Sequence, residues 1–311
     1  FNTHKFKSQV FQKDTIESPT GIEALIIKKN INIKYLTSIR QFLRLNFGSP
    51  PDTPILDIPE DKLINDKNHI LIVIDNDKKI VACIRYHYLG IFTSSLNEEI
   101  FCVDCFCVNK QWRRKGVGDY LLTYLHTYVN NNNIPHSLFL KEGRKLNIIH
   151  RPLYSGVYVY RKLNSHIESN YVKSLTVKQA YKLIDMFLEL NSNLFVVRNI
   201  HTSNQYWKLY KRDTYKVLVC FQDTYQSFQT DKLNHIAWVT AWIESPNMTD
   251  KYREEASKEL SDMMYPEFDY VWFNKKWTGN DTRWVVDGSF YWYSYQWTTN
   301  ITINQSYCIL C

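Results

Sequence analysis

Arg113, Arg114 and Lys115 stand directly before Gly116 and Gly118, and residues of these types at this spacing can hold a phosphorylated ligand. The cations neutralise phosphate charge, while the glycines let the backbone come close to it. A helix opening near Gly116 would add free N–H groups and the positive end of its dipole, so the chemistry indicated is capture of a diphosphate. The stretch matches neither G-x-G-x-x-G nor G-x-x-x-x-G-K-[ST], the two common phosphate signatures. A solvated basic turn is the plain alternative on these residues alone.

The flanking sequence supplies what would position such a loop. Before it, the stretch from Glu99 to Val108 carries Phe101, Val103, Cys105, Phe106, Cys107 and Val108, apolar side chains for both faces of a central strand. After it, Val117, Tyr120, Leu121, Leu122, Tyr124, Leu125 and Tyr128 fall mostly on one stripe of a helix. In chain order, residues 1–21 read as a polar extended arm and 34–47 as a helix. Residues 48–59, with four prolines, form a loop. Strands follow at 69–74 and 79–88, joined by a turn at Asn76, Asp77 and Lys78. Beyond the basic loop and its helix come a strand at 137–140, an irregular basic stretch at 141–156 and a short strand at 157–161. The order then partly repeats, with a helix over 177–190 that Ser174 or Thr176 could cap, and a shorter helix over 203–210. Strands at 215–222 and 235–244, a helix over 251–264, a strand at 269–273, an aromatic block at 289–297 and a tail at 301–311 close the chain. No glycine-rich basic loop follows strand 235–244, so one half is expected to bind the cofactor and the other to supply the acceptor site.

Composition narrows the class. The chain has 311 residues, enough for one large or two ordinary domains, and its 44% hydrophobic and 22% charged content is that of a soluble globular protein. A net charge of +7 is modest at this length, and with no basic arm or stacking platform it disfavours nucleic acid. No apolar run approaches the length that spans a membrane, and no stretch of this sequence reads as a signal peptide. Seven cysteines make an odd, irregular set. Cys102, Cys105 and Cys107 resemble a zinc cluster, but they lie within a strand and lack a histidine pair, so they read as buried thiols and no metal site is expected. The sequons at Asn247, Asn280, Asn300 and Asn304 are expected by chance in a chain this rich in Asn. These features point to a reducing, cytoplasmic location.

Arg113-x-x-Gly116-x-Gly118 after a strand resembles the acyl-CoA pyrophosphate loop of the GNAT acetyltransferase superfamily. Within that superfamily, Val286-Asp287-Gly288-Ser289-Phe290-Tyr291-Trp292-Tyr293-Ser294-Tyr295-Gln296-Trp297 resembles the GDGxLxYYLYNW segment of the N-myristoyltransferases. Other short blocks fall in the same order. Cys105-Phe106-Cys107-Val108 is similar to F-L-C-V, Trp112 to Gly118 stands where the family has L-R-S-K-R-V-A, and Tyr158 to Asn164 is similar to Y-W-H-R-S-L-N. His4-Lys5-Phe6 resembles the N-terminal Y/H-K-F-W that wraps the CoA end. Fourteen residues follow Trp297, close to the length of the family's tail. Departures are Asp104 for the family's Asn, Val286 for its first Gly, and the Pro-rich 48–59 segment for its acidic and aromatic peptide-contacting loop.

The resemblance implies an α/β (α+β) fold of two GNAT-like halves, each with a mixed central sheet and flanking helices, related by a pseudo-twofold axis. Residues 1–166 would bind acyl-CoA, and residues 167–311 the acceptor. It implies an acyltransferase that moves a long-chain acyl group, myristoyl in the family, from acyl-CoA to the N-terminal glycine amine of a peptide or protein, acting as a monomer. The N–H groups of Cys105 and Phe106 would hold the oxyanion, and the terminal carboxylate at Cys311 would act as base. His4, Lys5, Phe6, Cys107, Val108, Arg113, Arg114, Lys115, Gly116, Val117 and Gly118 would bind the cofactor. Asp104, Asp287, Gly288 and Tyr293 would border the acceptor. His87 and His150 read as structural groups. Rival readings are a GNAT-type enzyme acting on a sugar amine or other small amine, and a non-enzymatic descendant of the fold. The tail Cys308-Ile309-Leu310-Cys311 also matches the C-a-a-X prenylation pattern, which is incompatible with a catalytic terminal carboxylate.

Overall fold

A computed structural model describes residues 7–8, 18–48, 54–92, 98–132, 136–146, 152–190, 195–198, 204–228, 233–295, 297–298 and 308–310. The first half contains β1 (Lys7–Ser8), β2 (Ile22–Ile27), α1 (Leu36–Asn46), α2 (Glu60–Leu63), β3 (His69–Asp75), β4 (Ile80–Phe92), β5 (Glu98–Val108), α3 (Val117–Asn131), β6 (His136–Glu142) and β7 (Tyr154–Lys162). The second contains β8 (Val172–Leu175), α4 (Val177–Leu190), β9 (Phe195–Arg198), β10 (Gln205–Arg212), β11 (Tyr215–Asp223), β12 (Ile236–Glu244), α5 (Asp250–Asp262), β13 (Tyr270–Asn274), β14 (Val285–Tyr295), β15 (Trp297–Thr298) and β16 (Cys308–Leu310).

Alternation along the strands decides which helix each face receives. In β3, Ile70, Ile72 and Ile74 pack beneath Ile39, Phe42 and Leu43 of α1, while Leu71 and Val73 face Leu121, Leu125 and Val129 of α3. The second half repeats the sandwich. Trp207, Leu218, Cys220 and Ala241 meet Ala180 and Ile184 of α4, whereas Tyr210, Val217, Val219 and Val239 meet Ala256 and Leu260 of α5. Thr176 caps α4 reciprocally with Gln179, each backbone N–H bonding the other's side-chain oxygen, which selects Thr176 over Ser174.

The two halves are one sheet. Among the described residues it runs β16-β9-β4-β5-β6-β14-β7-β13-β12-β11-β10-β8, with β2 and β3 joined to β4. β5 and β6 are parallel, as are β12 and β13. The strand after each pair crosses over: β7 pairs antiparallel with β13, and β14 with β6. β14 and β7 also pair with each other, closing the seam. This is the α/β fold of two related halves expected from the sequence, with the two central sheets fused by that exchange.

One expectation fails. Residues 203–210 were expected to be helical, but β10 is a strand paired with β8 and β11. Its buried residues Trp207 and Tyr210 are three apart, which imitates a helical stripe, yet they point into opposite faces, toward α4 and α5. Of the N-terminal arm, Lys7 and Ser8 pair with β15.

Candidate acyl-CoA and acyl-transfer site

β6 stays beside β5 only from Ile100↔His136 to Val103↔Phe139. Past that point β6 continues along β14 to Glu142, while β5 runs on to Val108 beside β4. The two parallel strands therefore part at their carboxyl ends, where open α/β sheets receive ligands.

A bulge sits at this opening. Cys83 pairs with Cys107 and Arg85 with Asp104, so β5 carries one extra residue against β4, at Cys105 and Phe106. Cys105 has a φ of 52°, a left-handed conformation uncommon for a residue with a Cβ. The extra residue reverses the alternation. Phe101 and Val103 face α3, whereas Cys105 and Cys107 face α1. Phe106, 44% exposed, reaches toward the first turn of α3, where a Cβ on Gly118 would lie 3.4 Å from its ring. Gly118 thus admits close contact between helix and bulge.

The loop between β5 and α3 has the expected form. Arg114 has a φ of 63° and Gly116 a φ of 76°. Gly116 is the N-cap of α3 and offers no side-chain cap, so the first N–H groups of the helix point into the loop. A Cβ on Gly116 would meet no atom within 4 Å, which leaves room for a ligand. Arg113, Arg114 and Lys115 are exposed. Arg113 Nε donates to the Val108 carbonyl at 3.0 Å, and Lys115 lies over the Trp112 ring. Val117 is buried and anchors the helix, and Val108 packs on the same side. The residues fit an anionic cofactor. The matching corner of the second half is closed: Gly279 lies on the first turn of α5, where a Cβ would come 2.5 Å from the Asp250 carbonyl oxygen. Asn280 there donates its backbone N–H to Glu254 at 2.8 Å.

Asp104, the last residue before the bulge, is held by Arg85 through two bonds, Nε to Oδ1 at 2.7 Å and Nη2 to Oδ2 at 2.6 Å. Arg85 Nη1 donates to the Lys62 carbonyl at 3.1 Å, and His87 Nδ1 lies 3.3 Å from Asp104 Oδ2. Burial alone would raise the Asp104 carboxyl. Arg85 outweighs it, with help from His87, and holds the carboxyl well below the usual carboxylate range. Burial and the Arg85 charge lower His87 below its ordinary value despite Asp104. Sequence reasoning passed over Arg85 and read His87 as a structural group. The readable signal was two charge-capable side chains, two residues apart, in an otherwise apolar strand.

Cys102, Cys105 and Cys107 are buried thiols, as expected, and so are Cys83 and Cys220. Burial pushes Cys107 up to about 11, against the pull of Arg113, and raises Cys83, Cys102 and Cys105 as well. They are protonated at neutral pH and poor nucleophiles.

On the other wall, Asp287 occupies a bulge of β14 between Val286↔Val159 and Gly288↔Tyr158. Burial raises its carboxyl. Burial and then the Asp287 charge raise Glu142, at the end of β6. Gly288 has no atom within 4 Å of a built Cβ. Tyr293 is 1% exposed; its hydroxyl accepts from the Leu146 N–H at 3.1 Å and its ring stacks on Phe139, so it fixes the chain that leaves β6. His4, Lys5, Phe6 and Cys311 lie outside the described residues, as does His150.

Parted parallel strands, a bulge at the fork and a glycine-capped helix beyond it define a GNAT-type acyltransferase fold. Residues 36–156 match the acetyltransferase (GNAT) family. Over most of its length the chain is similar in fold to N-myristoyltransferase. A Saccharomyces cerevisiae N-myristoyltransferase structure with bound myristoyl-CoA superposes with a TM-score of 0.68 at 11% identity, over 96% of this chain and 87% of that one. A second, also with myristoyl-CoA, gives 0.65 at 12% identity over 95% and 90%. A third, with myristoyl-CoA and inhibitors, gives 0.66 at 13% over 92% and 82%. No curated protein sequence matches the chain. At these identities the likeness establishes the fold.

Proposed function

We propose that this protein is an N-acyltransferase that takes a long-chain acyl group, myristoyl in the structural neighbours, from acyl-CoA and transfers it to the N-terminal glycine amine of a peptide or protein. The observation that carries this reading is the fork of β5 and β6 with the Cys105–Phe106 bulge at its base and the open N-terminus of α3 beside it. Arg113, Arg114, Lys115 and the N–H groups of Gly116, Val117 and Gly118 hold the diphosphate. The N–H groups at the bulge face the carbonyl oxygen, where loss of one such donor typically costs on the order of 10²–10³ in rate. Asp287 and Gly288 border the acceptor, and the pair of carboxyls Asp287 and Glu142 favours a cationic amine there. The amine attacks directly, so the protonated thiols take no part. The base expected at the Cys311 carboxylate belongs to the same reading; β16, just before it, lies in the sheet beside β9, which pairs with β4. Residues 1–166 then form the cofactor half and 167–311 the acceptor half of a cytoplasmic monomer.

Calorimetry with CoA and a non-hydrolysable myristoyl-CoA analogue tests the cofactor site. Each charge-assisted hydrogen bond is worth roughly 1.5–3 kcal/mol, so Arg113→Ala with Lys115→Ala should weaken CoA binding more than tenfold. Equal affinity in the variant would remove the loop from the account. Absence of binding by the unaltered protein would favour a structural module.

A further inference from the structure

We propose that His87, oriented by Asp104 and Arg85, is a second proton-handling catalytic residue on the acceptor side of the sheet. The inference rests on the acyltransferase reading and adds a residue to it. Its basis is the placement of three side chains in series at the mouth of the bulge. Arg85 is anchored by the Lys62 carbonyl and clamps both oxygens of Asp104. A carboxylate so held is a poor base, but it is a fixed acceptor. His87 Nδ1 meets it at 3.3 Å, which leaves Nε2 as the imidazole's free lone pair. No hydrogen bond to Nε2 is found among the described residues.

Two further features give that lone pair a use. Cys83, Arg85 and His87 share one parity on β4, and Cys83 packs on the α1 side, whereas Ile84, Tyr86 and Tyr88 pack on the α3 side. The phosphate loop belongs to α3, so His87, opposite Cys102 and next to the last β5–β6 pair, lies on the other face of the sheet from that loop. Its side chain is 29% exposed, partly withdrawn from water yet reachable. The charged and titratable groups around it are Arg85 and Asp104, with Cys102 opposite on β5. Burial and the Arg85 charge outweigh Asp104 and keep the imidazole neutral near pH 7, the state that can accept a proton.

The step balances within the two substrates. The neutral amine forms the N–C bond to the thioester carbonyl carbon, and His87 Nε2 takes the proton that nitrogen sheds. The C–S bond breaks with its electron pair on the CoA sulfur, and the imidazolium returns the proton to that sulfur. Amide and thiol result, and His87 is restored.

The test is the pH dependence of transfer from myristoyl-CoA, with a Gly-starting peptide and with ethanolamine as acceptors. The acceptor ammonium must lose a proton, with a pKa of about 7.7–8.0 for a peptide amine, and His87 must also be unprotonated. Log kcat/KM should therefore fall with slope one below the amine pKa and steepen to slope two below that of His87, which lies under the ordinary imidazole value. His87→Gln keeps a donor for Asp104 and should lower kcat roughly 10²–10⁴-fold, change the slope to one, and leave CoA affinity unaltered. Asp104→Asn should lower kcat and move the steeper limb to lower pH, because the imidazolium loses its carboxylate. His87→Gln at the normal rate with the slope still two would overturn the inference and leave the acyltransferase reading intact. Absence of transfer by the unaltered protein to either amine would overturn both.

Discussion

Arg85 is a charged side chain buried in a strand of apolar neighbours, and its desolvation is offset only because Asp104 and the Lys62 carbonyl occupy its guanidinium. Removing one member of such a pair strands the other, so Arg85→Ala should lower stability by on the order of 3–5 kcal/mol at pH 7. The pH dependence has a definite sign. The folded state depresses the Asp104 pKa, so its contribution is complete above the unfolded value near 3.9 and is lost as pH falls through the folded one. Urea unfolding should accordingly show a smaller gap between Arg85→Ala and the unaltered protein at pH 3 than at pH 7. An equal gap at both would show that Arg85 acts through packing alone. The basic loop was legible in the sequence because its residues are adjacent. The Arg85–Asp104–His87 series was not, because its members meet only through the register of β4 and β5.

Among the elements, the strong periodicities translated directly. α1, α3, α4 and α5 and the strands flanking the basic loop lie where the patterns put them, since each buries a stripe of the matching period. β10 misled because a strand covered on both faces can bury residues at any spacing. The Cys105–Phe106 bulge was also beyond reach, since nothing in the local sequence marks one extra residue against β4. Neither could the insertion of β14 between β6 and β7 be read from either segment alone. That crossing has its own tight point at Gly156 of β7. A Cβ there would come 2.6 Å from Asn274 Nδ2 and 2.7 Å from the Phe290 ring, and Asn274 is itself tied to the Tyr154 hydroxyl at 2.7 Å. Gly156→Ala should therefore destabilise the protein by about 1–3 kcal/mol, whereas Gly288→Ala, with no such neighbour, should stay within about 0.5 kcal/mol. Thermal or urea unfolding of the two variants decides; equal stability would show that the seam yields.

At the scale of the whole molecule, exchange of β7 and β14 makes the halves interdependent. Each half of the sheet is completed by a strand from the other half, and the fork proposed to receive the thioester is walled by β5 of the first half and, through β6, by β14 of the second. Similar loops in the two halves are not equivalent, because Gly116 leaves the start of α3 open while Gly279 and Asn280 cover the start of α5. That asymmetry supports the proposed single cofactor site in the first half. The most direct test is mass spectrometry of a Gly-starting peptide and its acetyl-Gly counterpart after incubation with the protein and myristoyl-CoA, with glucosamine as a competing amine. The account predicts one acyl group on the glycine α-amine and none on the blocked peptide. Acylation of glucosamine with the peptide untouched, or no acylated product at all, would contradict it.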